Sequence, residues 1–398
     1  MALTTVQVNN KLIVFRKEVT REYIRQNLFS PYVGSEMTAI IRVINDLKNG
    51  GEQINIPLIA RLKNVPISTG TLVGNEEGID NYGDRAWIDW ARNAVKLPKS
   101  EEQKSSIDLF GQARPLLEDW GKELQRDEII DAFFAIPLDS TAPAGLGSTN
   151  GQRVNGAFFD QATVAQRNTW VTDNADRVLF GGAQGNLVAG NFASSAVAVT
   201  SGMTLSAAAI LKMKRLAKKA NPRIRPYKLK NGREYFVLFV GSNCFRDLQA
   251  DTTIINANTQ ARPREGDGLD KNPLFQDGDL LYNGVIIREI PEMDIRLPIF
   301  YSSAGAAGIQ ISPAFLCGQS AMAWCWGRMP QPTFLKEDDY QYLCVRSQSA
   351  FYFIPNDVYS CIVMDIVSSP LGHSLVGVTA AIIIARWSTG AAVTSSIG

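Results

Sequence analysis

The chain has 398 residues, 45% of them hydrophobic and 20% charged, which is typical of a soluble globular protein large enough for two or three substructures. A net charge of +1 gives no electrostatic reason to expect nucleic acid, a membrane surface or an acidic substrate as the main partner. The late apolar run at residues 375–387 is shorter than the about 20 residues that a bilayer requires. We predict a buried strand or helix there.

The cysteine pattern indicates a reducing compartment. Five cysteines are present, and an odd number without any CxxC spacing or cleavable signal predicts free thiols in a cytosol. They are Cys244, Cys317, Cys325, Cys344 and Cys361.

The first 50 residues predict an arm rather than a domain. Charged and apolar positions between residues 14 and 29 predict a helix that ends before Pro31, and residues 36–47 predict a second short helix. Residues 1–9 are small and polar and predict a tail. Neither helix carries enough apolar surface to form a core of its own.

Residues 53–97 predict a two-stranded ribbon. In the first strand, apolar residues occupy every second position, at Ile54, Ile56 and Leu58. In the second strand, Ala86 and Trp90 lie on the same kind of alternating positions. The tip between the arms is acidic and spaced with glycines. A two-stranded ribbon is marginally stable in water, so this one must pack on its own domain or on another copy of the chain.

Residues 100–136 predict one long helix, a spine of roughly 50 Å with a weak point at Pro115. Ser100 is placed at its N-cap and Pro137 beyond its end. Helical spacing places one apolar stripe on a single face, formed by Phe110, Ala113, Leu117, Trp120 and Leu124. A second apolar group faces another side, formed by Ile129, Ile130, Phe133 and Phe134.

The middle of the chain mixes helix, hairpin and loop predictions. Residues 139–202 are predicted to be loosely ordered or β-rich, whereas residues 204–220 predict a helix that buries Ile210, Leu211 and Leu216. Asn-Gly pairs at residues 231–232 and 283–284 predict two β-hairpins. Residues 251–279 predict a polar loop. Several late strands are predicted to return and pack on the spine: 309–311, 321–326, 342–345, 350–354, 361–367 and 378–385.

No residue pattern for catalysis, a cofactor or a metal stands out. Residues 145–151 lack the lysine and the spacing of a phosphate loop, and the single histidine, His373, is better explained as an incidental loop residue than as a catalytic base. The cysteines lack zinc spacing, and a weak calcium site at Asp267, Asp270 and Asn272 would lack the glycine and glutamate of an EF-hand. The basic face of helix 204–220 is better explained as a solvated face, with contact to phosphates or an acidic neighbour as the alternative.

Several segments together resemble one protein family. They are Lys48-Asn49-Gly50-Gly51, Ile54-Asn55-Ile56-Pro57, Leu72-Val73-Gly74-Asn75-Glu76-Glu77, Trp90-Ala91-Arg92-Asn93-Ala94-Val95, Asn174-Ala175-Asp176-Arg177-Val178-Leu179-Phe180-Gly181 and Asn272-Pro273-Leu274-Phe275. With the order arm, ribbon, spine and returning strands, they resemble the Hong Kong 97-like major capsid proteins of tailed bacteriophages. The resemblance extends from about residue 12 to about residue 367, and residues 368–398 depart from it.

The resemblance implies an α+β, Hong Kong 97-like fold with six parts. These are an N-terminal arm (1–50), an extended loop (51–98), a spine helix and peripheral domain (99–140), an axial domain (141–308), strands returning to the peripheral domain (309–367) and a C-terminal extension (368–398). The implied function is a non-enzymatic major capsid protein that assembles in the host cytoplasm into the icosahedral virion shell around double-stranded DNA.

The implied partners are other copies of the chain in hexamers and pentamers, together with scaffold, portal and decoration proteins. Packaged DNA would contact the inner face without sequence specificity, and no membrane partner is implied. Trp87 and Trp90 are predicted as ribbon anchors, and Leu117, Trp120 and Leu124 as spine core. Two alternatives stay open: an encapsulin-like compartment shell, and a β-rich hydrolase or carbohydrate-binding protein.

Overall fold

The computed structural model describes part of the chain. The described residues are 27–46, 53–59, 62, 64–79, 81–87, 89–105, 107–133, 135–137, 152–153, 156–158, 162–200, 202–220, 224–228, 234–261, 279–296, 299–300, 310–326, 331–335, 343–353, 366–368, 374–376 and 381–386.

These residues form helices and strands throughout the chain. The helices are α1 Lys99–Lys104, α2 Leu109–Phe133, α3 Val164–Asp173, α4 Phe192–Val197, α5 Ala207–Lys219, α6 Ser242–Gln249, α7 Thr252–Ala261 and α8 Glu292–Arg296. The strands are β1 Val33–Gly34, β2 Ile41–Ile44, β3 Gln53–Ile59, β4 Asn81–Trp87, β5 Asp89–Pro98, β6 Ala135–Pro137, β7 Gln152–Arg153, β8 Gly156–Phe158, β9 Val178–Phe180, β10 Tyr227–Lys228, β11 Glu234–Val240, β12 Asp279–Tyr282, β13 Val285–Glu289, β14 Ile299–Phe300, β15 Gln310–Cys317, β16 Met322–Trp326, β17 Gln331–Leu335, β18 Leu343–Phe353, β19 Ile366–Ser368, β20 Ser374–Val376 and β21 Ala381–Arg386.

The chain divides into two compact units. The first comprises Met1–Asn27, Trp90–Gln125 and Met329–Ala350, and the second comprises Leu28–Asp89, Arg126–Arg328 and Phe351–Gly398.

A sheet in the order β12-β13-β11-β15-β21-β9 forms the centre of the second unit, with β10 added beside β11 and β14 beside β15. β11 is buried from Phe236 to Val240, and it pairs in parallel with β13 and antiparallel with β15. A continuous apolar run is what a strand covered on both faces requires. Helices α5 and α6 add Ile210, Met213 and Phe245 to the same buried cluster.

Both predicted Asn-Gly hairpins are confirmed by strand pairing. β12 and β13 are antiparallel, and Asn283 and Gly284 between them have φ angles of 46° and 73°. Two successive positive φ angles are what a tight hairpin turn needs, and asparagine and glycine tolerate them best. β10 pairs antiparallel with β11, although the turn at residues 229–233 lies outside the described residues.

Five aromatic rings join segments from distant parts of the second unit. Phe133, at the end of α2, lies 5.2 Å from Phe315 of β15 and 5.5 Å from Phe239 of β11 between ring centroids. Phe29 and Tyr32, which precede β1, lie 5.1 and 5.3 Å from Phe239. Aromatic pairs at these separations add about 0.5–1.5 kcal/mol each beyond their burial. The predicted return of a late strand to the distal spine is thus seen at Phe315.

Residues 36–46, the described part of the second predicted helix, do not form a helix. β2 runs in parallel with both β1 and β16, and Ile41 lies opposite Val33 on one side and Met322 on the other. The backbone N–H groups of Ser320 and Met322 donate to the carbonyls of Ala39 and Ile40. The β-branched run Ile40, Ile41, Val43 and Ile44 favours a strand once such partners are available.

The predicted single spine helix is divided, but not at Pro115. α1 ends at Lys104 and α2 begins at Leu109, while Pro115 lies inside α2. Between the helices the Ser105 hydroxyl exchanges hydrogen bonds with the backbone of Ile107, and the Asp108 carboxylate accepts from the Gly111 N–H. Serine and aspartate end one helix and start the next by such local bonds. Ser100 lies within α1 and is not a cap, and α2 ends at Phe133, before Pro137.

Three further predictions need correction. Residues 139–202 contain two helices, and α3 begins with a capping box in which Thr163 accepts from the Gln166 N–H. The predicted polar loop begins with α7. Helix α5 is confirmed with Ile210 and Leu216 buried, but Leu211 is 40% exposed and Met213 takes its expected place in the core.

Other predictions lie outside the described residues. These include the helix at residues 14–26, the glycine-rich segment 145–151, His373, Asp267, Asp270 and Asn272. The six domain boundaries stay predictions. Within the segment predicted as a C-terminal extension, β21 pairs with β15 and β9 in the central sheet.

Candidate assembly surface

The predicted ribbon is present as two antiparallel strands. β3 and β4 pair over seven residues each, from Gln53 opposite Trp87 to Ile59 opposite Asn81. Among the strands that the structure describes, these two pair only with each other. Sheets of two strands have little stability of their own, so the ribbon needs another surface.

The tip of the ribbon exposes apolar side chains in open solvent. Sixteen large hydrophobic residues are exposed in the described part of the chain, and seven of them lie between residues 59 and 79. The seven are Ile59 (71% exposed), Leu62 (64%), Val65 (82%), Ile67 (41%), Leu72 (66%), Val73 (78%) and Ile79 (70%). Monomeric proteins rarely leave such a concentration uncovered, and it marks an interaction site.

The tip is held by bonds within itself. The Asn64 N–H donates to the Glu77 carboxylate at 2.9 Å, which ties the two sides of the loop together. The Gly74 N–H donates to Glu76 at 2.7 Å, and a turn is closed by the Asn75 N–H donating to the Leu72 carbonyl at 3.0 Å. The acids that the sequence places at the tip thus brace its backbone.

The tip glycines face open space. A methyl group added at Gly70, Gly74 or Gly78 would find no atom within 4 Å. Gly70 and Gly74 have φ angles of 121° and 90°, which only glycine adopts readily. These residues therefore shape the loop without packing it against the rest of the chain.

The residues predicted as anchors are positioned by three elements. Trp87 ends β4 and Trp90 lies in β5, and both side chains are outside what the structure describes. On α2, Leu117 is buried, whereas Trp120 and Leu124 are only partly buried. Their roles as anchors stay predictions.

Sequence reasoning missed the apolar residues of the tip. It described residues 60–80 as acidic and rich in glycine, although Val65, Ile67, Leu72 and Val73 are visible in the same segment. The available signal was a set of aliphatic residues in a segment rich in glycine and acidic residues, outside any predicted helix or strand.

The described residues offer no constellation for metal chemistry or membrane insertion. No group of three or more histidine, cysteine, aspartate or glutamate residues among them could hold a metal ion. No described helix is both long and apolar enough to cross a bilayer. Cys244, Cys317 and Cys325 are buried free thiols, and burial raises the pKa of Cys325 to about 12, which makes it unreactive.

Comparison with protein families gives one match, described as "Phage capsid protein", over residues 4–349. No curated protein matches the chain. The match names a phage capsid protein. It names neither of the two alternatives, the encapsulin-like shell and the β-rich hydrolase or carbohydrate-binding protein.

Solved structures of phage capsids are similar over almost the whole chain. The capsid asymmetric unit of cyanophage Pam1 has 29% identity and a TM-score of 0.80, covering 97% of this chain and 99% of that one. The capsid of Ralstonia phage GP4 has 16% identity and a TM-score of 0.65, covering 98% and 100%. An acid-stable capsid of Helicobacter pylori bacteriophage KHP30 has 12% identity and a TM-score of 0.57, covering 97% and 98%. The predicted α+β, Hong Kong 97-like fold is confirmed.

Proposed function

This chain belongs to the phage capsid protein family, and we propose that it builds its shell through the apolar ribbon tip. It is a structural protein of the virion, a major capsid protein whose copies form an icosahedral shell. The observation that carries the proposal is the exposure of seven large aliphatic side chains on the ribbon and its tip, between residues 59 and 79.

Burying the apolar side chains of the tip would release enough free energy to drive association between subunits. Burying one valine, leucine or isoleucine contributes about 1.5–3 kcal/mol, so seven together represent on the order of 10 kcal/mol before costs. Ordering side chains and fixing two molecules offset part of this gain. The tip is already braced by the bonds from Asn64 and Gly74 to Glu77 and Glu76, which reduces the ordering cost.

The finer features of this function follow the family resemblance. Subunits would form hexamers and pentamers in the shell of a tailed phage, assembled in the host cytoplasm around double-stranded DNA. A scaffold, a portal and decoration proteins are the further partners. The shell needs no catalysis by this chain, and Trp87 and Trp90 would anchor the ribbon while Leu117, Trp120 and Leu124 support the spine.

Electron microscopy of the purified full chain tests the proposal. We expect hollow shells or rings of constant diameter for the unaltered protein. Val65→Asp, which places a charge at an 82% exposed apolar position, should abolish them because burial of a carboxylate opposes association. The matched control is Thr69→Asp, which adds the same charge at an exposed polar position of the same loop.

Two results would count against the proposal. Normal shells from Val65→Asp would show that the tip is not covered during assembly. A monodisperse monomer at high concentration from the unaltered chain would show that it does not assemble by itself.

A further inference from the structure

The two edges of the ribbon differ at one residue, Pro57 of β3. Proline has no backbone N–H, and within a sheet it is found on edge strands with its nitrogen directed away from the neighbouring strand. β3 and β4 stay in register on both sides of this residue, with Pro57 opposite Gly83. The nitrogen of Pro57 therefore faces outward from the ribbon, and the outer edge of β3 lacks a donor at that position.

This assignment sets the direction of the backbone groups throughout the ribbon. In an antiparallel pair, residues that bond to the partner strand alternate with residues whose N–H and C=O groups point away from it. Because Pro57 and Gly83 point away, the residues two positions from them point away as well. On β4 the outward residues are Asn81, Gly83, Arg85 and Trp87, and on β3 they are Gln53, Asn55, Pro57 and Ile59.

The outer edge of β4 is open. Its four outward residues offer four N–H donors and four C=O acceptors, since β4 contains no proline. Among the described strands, none pairs with β4 except β3. A row of free backbone groups on an edge strand is a template for pairing with another chain, and proline is one of the residues by which proteins prevent such pairing. β3 has this obstacle and β4 does not.

We propose that β4 receives an extended segment of a second copy of the chain as a third strand, and that this pairing joins neighbouring subunits. The inference rests on the proposed function, because an assembly of copies brings a second chain beside every ribbon. Continuity with the tip supports this choice of occupant. Ile79, at the end of the tip, is 70% exposed, and β4 begins two residues later at Asn81. A second copy that covers the tip therefore lies beside the β4 edge.

A third strand also explains how the ribbon becomes stable. Sheets of two strands are marginal in water, and a third strand or a packing surface is needed. When a strand is added to a sheet edge, bonds between the main chains provide the affinity, so they form whatever side chains β4 carries. The aliphatic tip and the β4 edge therefore contribute to one contact by different means, which are burial of apolar area and pairing of backbone groups.

The added segment is not β4 of the second copy. Two β4 strands related by a two-fold axis and paired along their full length would place Asp84 opposite its own counterpart. Like charges directly opposite each other in a sheet are destabilising. The pairing is therefore heterologous, so that each copy offers one edge and supplies a different segment to the next copy. Contacts of this kind form rings when the rotation between copies closes.

Proline substitutions on the two edges of the ribbon test the proposal. Asn55 and Arg85 are partners in the register, and both N–H groups point outward, so Asn55→Pro and Arg85→Pro remove one equivalent donor from each edge. We expect Arg85→Pro to abolish shells in electron microscopy, and Asn55→Pro to leave them intact because that edge already contains Pro57. Arg85→Ala keeps the N–H, and it should form shells as the control for loss of the charge.

Amide hydrogen exchange of the unaltered protein gives a second measurement that needs no variant to fold. When subunits assemble, exchange should be lost at the N–H groups of Gly83 and Arg85 and should persist at those of Asn55 and Ile59. Loss of exchange on both edges, or on neither edge, would overturn the inference.

The tip variant separates this inference from the proposed function. Normal shells from Arg85→Pro with none from Val65→Asp would overturn the inference and leave the tip as the assembly surface. Normal shells from Val65→Asp with none from Arg85→Pro would contradict the role of the tip and support pairing at the β4 edge. Loss of shells from both proline variants would overturn the inference, because distortion of the ribbon would then explain the result.

Discussion

The ribbon tip and strand β11 are both rich in apolar residues, yet they have opposite environments. Phe236 to Val240 are at most 1% exposed, whereas Val65 and Val73 at the tip are 82% and 78% exposed. β11 has hydrogen-bonded neighbours on both sides, and β3 and β4 have only each other among the described strands. Hydrophobic content alone therefore does not separate a core segment from an exposed one.

This difference divides the free energy of the chain into two parts. Burial around β11 stabilises the subunit before any copy is met, while the apolar area at the tip contributes only after association. Substitutions should therefore change either the stability of the subunit or the formation of shells. The following predictions run from the largest expected change in stability to the smallest.

Phe239→Ala should cause the largest loss. Phe239 is fully buried among the rings of Phe29, Tyr32 and Phe133, so truncation leaves a cavity. We expect a loss of about 3–5 kcal/mol in the free energy of unfolding, measured by urea denaturation. The control Ile295→Ala, at an 80% exposed position, should change stability little. Similar losses of stability at Phe239 and Ile295 would contradict the proposal that buried and exposed apolar residues contribute differently to the stability of the subunit.

Gly241→Ala should have an intermediate effect. A methyl group there would lie 2.1 Å from Asp294 Oδ1, and the Asp294 carboxylate accepts from the Asn243 N–H at the start of α6. Displacing this cap should cost about 1–2 kcal/mol. In a double-mutant cycle, Asp294→Ala should make the additional cost of Gly241→Ala much smaller. Fully additive losses would show that the two residues do not interact.

Two capping carboxylates should respond oppositely to pH. Burial opposes ionisation of Asp251, but hydrogen bonds from the N–H groups of Ala207 and Thr253 outweigh it and lower the pKa. Burial dominates at Asp294 and raises its pKa above the usual value despite the bond from Asn243. Asp251 therefore adds stability above the unfolded-state pKa of about 3.9, and this is lost as the pH falls through its lower folded-state pKa.

Asp294 has the reverse sign, since its contribution is present below the unfolded-state pKa and is lost as the pH rises through its higher folded-state pKa. Asp251→Asn should therefore cost about 1 kcal/mol at pH 7 and less at pH 3. Asp294→Asn should become less destabilising, relative to the unaltered chain, as the pH rises from 4 to 7. Urea midpoints of both variants and of the unaltered chain, taken at several pH values, measure both changes. If the two variants lose stability with the same dependence on pH, the opposite pKa shifts of Asp251 and Asp294 are contradicted.

Val65→Asp should have the smallest effect on the subunit. Because Val65 is 82% exposed, we expect a change within about 0.5 kcal/mol in the free energy of unfolding, despite the loss of shells expected above. Urea denaturation of unassembled subunits gives the comparison, with Thr69→Asp as control. A large destabilisation would place the tip in the core of its own chain.

The sequence was sufficient to predict those elements whose structure depends on residues within one short segment. The Asn283-Gly284 turn and the amphipathic α5 follow from residues within one hairpin or one helix. The capping box of α3 was equally local, with Thr163 three residues before Gln166, and it was overlooked because glycine and alanine dominate the region.

Other features depend on partners far away in the chain. Residues 41–44 become a strand because β1 and β16 are beside them, and β16 lies about 280 residues later. The spine is divided at Ser105 and Asp108, whose side chains bond to the nearby backbone, and not at Pro115, where we predicted the break. The resemblance identified the ribbon as an assembly element, but exposure of its aliphatic residues required the structure.

The place of β21 in the central sheet makes the folding of that sheet depend on residues 381–386. β9 is joined to that sheet through β21, which the ribosome produces about 200 residues later. Pairings across such a separation form slowly, because much of the chain must be ordered to close them. A chain that stops before residue 381 lacks the strand between β15 and β9, so we expect that it cannot form the central sheet in the order described.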